Sequence, residues 1–92
     1  TGGLKMDHSE IIAAADAEAR RQGFDLVAVH AVPERQSAIT LCFSGGYHPW
    51  AVHQFSMVNQ GLNVGGYHFT LNGALAEFGQ RLADTLAAAA AA

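Results

Sequence analysis

Every strand-type segment of this chain lies in one uninterrupted run, residues 24–71, with no helical pattern between any two of them. Parallel strands need a crossover of a dozen or more residues, usually a helix, whereas antiparallel strands need only a turn. The sheet is therefore expected to be antiparallel. Helical patterns flank the run on both sides.

The first helix is announced by Asp7 with Glu10 three residues later, a capping-box pattern with Asp in place of Ser or Thr. It is expected from about His8 to Gln22. Ile12, Ala15 and Ala19 share one face with Ile11 beside them, while Glu10, Asp16, Glu18, Arg20 and Arg21 lie mostly on the other, solvated face. Gly23 suits the positive φ that follows a helix. The second helix is expected from a cap at Asn72 through Leu86 or beyond. Leu75, Phe78, Leu82 and Leu86 give it an apolar stripe.

Between the helices, Phe24–Val32 and Ser37–Phe43 read as a hairpin about Pro33-Glu34-Arg35-Gln36. Ser44-Gly45-Gly46 breaks the pattern. Trp50–Val58 reads as a third strand, Asn59–Asn63 as a turn and Val64–Leu71 as a fourth strand. The order α-β-β-β-β-α predicts an α+β fold: a two-layer sandwich of a four-stranded antiparallel sheet with both helices on one face. The other sheet face is then open unless a partner covers it.

Composition narrows what such a domain does. The chain has 92 residues, half of them apolar, and a net charge of −3. That suits one globular domain, residues 6–86, and is greasy enough to favour an oligomer or a covered sheet face. Thr1–Lys5 reads as a remnant ahead of a native Met6. Ala87–Ala92 reads as a helix extension or a tail. No lysine follows Lys5, and the arginines are scattered apart from Arg20-Arg21, which argues against nucleic-acid binding. The helix-sheet-helix order is loosely similar to double-stranded RNA-binding domains. Those place basic residues where this chain has Asn72-Gly73-Ala74-Leu75-Ala76-Glu77, so the resemblance is set aside. No secretory-signal pattern and no apolar stretch near 18 residues is present, so a cytoplasmic protein with no membrane partner is expected. Cys42 is the only cysteine and excludes an internal disulfide. It reads as a small buried hydrophobe.

One motif stands apart. Gly-Gly-Tyr-His occurs at Gly45–His48 and again at Gly65–His68. It invites a ligand or metal site built from His48, His68 and His53 or His30, since imidazole is the commonest transition-metal ligand. Such a site needs three or four ligands converging on one point. A hairpin about Asn59–Asn63 sets Val58 against Val64, Phe55 against Tyr67, Gln54 against His68 and His53 against Phe69, and sorts apolar residues to one side. His48 then lies six positions from Gln54, roughly 20 Å away. The two motif histidines are expected not to meet. Each Gly-Gly is expected to open a strand or admit close backbone approach.

In that register Trp50, Val52, Gln54, Ser56, Val58, His68 and Thr70 share the face away from the helices. The surface expected to bind a partner comprises Trp50, Val52, Gln54, Ser56 and His68, with Tyr47 and His48 at its edge. Catalysis finds little support. A Cys42–His pair lacks an orienting third group, and Ser44 lacks the Gly-x-Ser-x-Gly context of a hydrolase. No phosphate loop or dinucleotide fingerprint occurs. The expected function is a non-catalytic interaction module without cofactor, pairing with itself or another protein. A ligand- or metal-binding domain using His48, His53 and His68 is the alternative.

Overall fold

A computed structural model describes residues 6–63 and 65–91. Thr1–Lys5, expected to be a remnant, the Val58–Val64 pairing and the end of the alanine run at Ala92 lie outside the described residues. Helix α1 spans His8–Arg21. The Glu10 backbone N–H donates to the Asp7 carboxylate at 2.9 Å, and the Asp7 N–H donates to the Glu10 carboxylate at 3.0 Å. Both members of the capping box are thus in place, and Gly23 follows the helix at φ +88°. Ile11, Ala15 and Ala19, spaced by four, are fully buried. Two of the three are alanines, so the helix axis can approach the sheet closely.

Strands β1 (Asp25–Val32) and β2 (Ser37–Phe43) form the expected antiparallel hairpin. A 3-10 turn at Pro33–Arg35 joins them, and Gln36 closes it at φ 48°. Its side-chain amide donates to the Pro33 carbonyl at 2.8 Å, which steadies that left-handed conformation. Strand β3 (Trp50–Ser56) pairs antiparallel with β2 along its whole length. The expected fourth strand is two short ones. Both β4 (Gly61–Leu62) and β5 (Gly66–His68) pair antiparallel with β3 on its far side. Helix α2 follows as Leu71–Ala91, so the alanines through Ala91 continue it. Its cap is Thr70 rather than Asn72: the Thr70 hydroxyl accepts the Gly73 N–H at 3.1 Å.

The α+β class, the element order and the antiparallel sheet agree with the sequence expectation. The placement of the helices does not. They lie on opposite faces, giving three layers. Helix α1 packs through Ile11, Ala15 and Ala19 onto Ala38, Cys42, Ala51 and Phe55. Helix α2 packs through Ala74, Phe78 and Leu82 onto Ile39, Leu41 and Val52. Strand alternation puts these two residue sets on opposite sides. The reason is visible in β2, where every residue from Ser37 to Cys42 is buried. Ala38, Thr40 and Cys42 are small, but they still need a cover. Thr40 satisfies its hydroxyl internally by donating to the His53 carbonyl at 3.2 Å. Full burial of Ile39, Leu41 and Val52 contributes about 1.5–3 kcal/mol per side chain.

The register past β3 also differs from the simple hairpin. Trp50, not Gln54, faces His68, and Phe55 faces Leu62. The β3–β4 and β3–β5 pairings are out of step with one another by one residue. One extra residue in a ladder is a bulge, and it bends the strand. Gly65 makes the bend possible: a Cβ there would lie 1.5 Å from the Val52 carbonyl oxygen. Strand β5 has slid four residues toward the start of β3, an even step that keeps each side chain on its expected face.

Candidate functional site

The second Gly-Gly-Tyr-His is a packing device. Gly66 and His68 lie on the same face of β5, under α2. A Cβ at Gly66 would sit 1.9 Å from the Glu77 carboxylate, so this glycine opens the space that Glu77 enters. His68 Nε2 donates to Glu77 Oε1 at 2.6 Å, and Arg81 Nε donates to Glu77 Oε2 at 2.5 Å. Partial burial pushes the Glu77 carboxyl up, but the His68 and Arg81 hydrogen bonds outweigh it and hold the carboxyl below its ordinary value. One carboxylate thus ties β5 to the first half of α2.

The first copy occupies the loop between β2 and β3. Gly45 turns the chain at φ +75°, and the Ser44 N–H donates to the Pro49 carbonyl at 2.7 Å to close it. Tyr47 is thrown outward and is 83% exposed. Its ring meets His48 edge-on at 4.9 Å and Phe69 at 5.4 Å, and the His48 ring lies 4.2 Å from Phe69. Phe69 is itself 62% exposed. Beside this cluster Phe43 and Trp50 meet edge-on at 4.9 Å. These are favourable aromatic geometries, yet they leave much ring surface in water.

Phe69, the residue after the second copy, thus meets Tyr47 and His48 of the first. Sliding β5 by four residues brings Phe69, next to His68, alongside His48. From Gln36 to Ala76 the sequence contains no Asp, Glu, Lys or Arg. Tyr47, His48, Trp50 and Phe69 all lie in that stretch, while Asp25, exposed opposite Phe43 on β1, brings a carboxylate to the same end of the sheet.

Of the residues expected to bind a partner, Tyr47, His48 and Trp50 gather at this end. Val52 does not: it is fully buried under α2. Gln54 is half-buried, and Ser56 sits at the other end of β3 opposite Gly61, where its hydroxyl accepts the Asn59 N–H at 3.4 Å. His68 is engaged by Glu77. The sheet face expected to be open is the one α2 covers. Phe69, Phe43 and Tyr67 were not expected at the surface. Thr70 was the available signal for Phe69: a threonine cap ends the strand at His68 and leaves Phe69 in the link, outside the ladder.

The three histidines of the alternative site face separate surroundings. His53 is 4% exposed on the α1 side of the sheet. Its ring lies 5.3 Å from Phe24 and 5.8 Å from Tyr67, and among the described residues its Nδ1 has no hydrogen-bond partner. Burial, helped by the Arg81 charge and opposed by Glu77, pushes its pKa below the ordinary value. Among the described residues no three His, Cys, Asp or Glu side chains are grouped to hold a metal ion, and no pocket opens. Cys42 is buried. Desolvation pushes its thiol up, against a hydrogen bond with Thr40, so it stays protonated and weakly nucleophilic at neutral pH.

Comparison with protein families, with characterised proteins and with solved structures finds no match to this chain. Among the described residues no helix is long and apolar enough to cross a membrane.

Proposed function

We propose that this chain is a non-catalytic assembly module that pairs with a second copy of itself through the aromatic end of its sheet, around Tyr47, His48, Trp50 and Phe69. The observation that supports this is the exposed ring cluster set in an uncharged stretch of sequence. Interface centres are enriched in aromatic side chains and depleted of charge. Contiguous exposed rings favour burial against a partner.

A second copy suits the surface for an electrostatic reason. A two-fold interface sets one patch against the same patch. Any formal charge in it would face its own kind. The chain carries −3 overall, but none of that charge falls between Gln36 and Ala76. The reading places the module in the cytoplasm, where a lone buried thiol such as Cys42 stays reduced.

The test is to place a charge in the patch. Phe69→Glu is expected to convert the dimer to monomer on light scattering while far-UV circular dichroism stays native, because Phe69 is outside the ladder and mostly in water. A wild-type protein that is monomeric at high micromolar concentration would overturn the reading. So would a dimer indifferent to Phe69→Glu.

A further inference from the structure

We draw no further inference here: the strongest candidate, the buried His53 ring between Phe24 and Tyr67 on the α1 side of the sheet, opens into no pocket among the described residues and rests on a shifted pKa alone.

Discussion

His68 and Glu77 are joined at 2.6 Å, Nε2 to Oε1, over the side-chain-free floor of Gly66. This bond links the last strand to the helix that follows it. It turns half of a repeated motif into an internal tie, while the other half stays at the surface with Tyr47 and His48.

Glu77→Gln keeps the shape of that tie and removes its charge. Hydrogen bonds to charged groups contribute roughly 1.5–3 kcal/mol, and partial exposure puts this case at the lower end. A loss of about 1–2 kcal/mol is expected in urea unfolding at pH 7. The Glu77 carboxyl is held below its ordinary 4.5 in the folded chain. Its contribution is therefore complete above that value and fades as pH falls below it. The gap between wild type and Glu77→Gln should narrow in acid. A constant gap would contradict this.

The two glycines before Tyr67 differ in how they resist a side chain. At Gly66 the obstacle is the end of the Glu77 side chain, which can swing away and forfeit the tie. At Gly65 it is the Val52 backbone carbonyl, which cannot move without shifting β3. Gly66→Ala is expected to cost about 1–2 kcal/mol and Gly65→Ala more than about 3 kcal/mol. Thermal melting of the two variants would read the order, and equal costs would contradict it.

Ala51 and Val52 are adjacent, point to opposite faces, and are both fully buried. Either one changed to aspartate buries an unpaired charge, costing several kcal/mol of a total near 5–15 kcal/mol. Both variants are expected to be unfolded at 25 °C by circular dichroism. In a sheet with both helices on one face, one of the two would be tolerated.

His53 is buried with a depressed pKa, and its Nδ1 is unpartnered among the described residues. The unfolded chain takes up the His53 proton more readily than the folded one. Stability from this site is therefore full above the ordinary histidine pKa of 6.5 and falls as pH drops below it. His53→Leu removes both the unpaired nitrogen and the titration. It is expected to match or exceed wild-type stability at pH 7 and to flatten the loss between pH 6.5 and 5. A variant less stable than wild type by more than about 1 kcal/mol would show that the imidazole makes a bond the geometry does not contain.

Most of the fold was legible in local chemistry. The Asp7–Glu10 box, Gly23, the Pro33 turn and the Ser37–Phe43 strand depend on neighbours in sequence, and each appears where its pattern put it. The side of the sheet that α2 chose was not legible. Ile39, Leu41 and Val52 lie on the face expected to be open, yet each is buried under α2. The register past β3 was hidden by the bulge, because a simple hairpin through Asn59–Asn63 sorts apolar residues equally well. Every misplacement at the candidate site follows from those two points. Val52 went under a helix, and Phe69 came out beside His48.

Sedimentation equilibrium of the unmodified chain at pH 8, from low to high micromolar concentration, bears most directly on the proposed role. The aromatic surface around Tyr47 and Phe69 predicts a reversible monomer–dimer equilibrium, with twice the 9.7 kDa chain mass at the upper end. A single species at the chain mass across that whole range would contradict it.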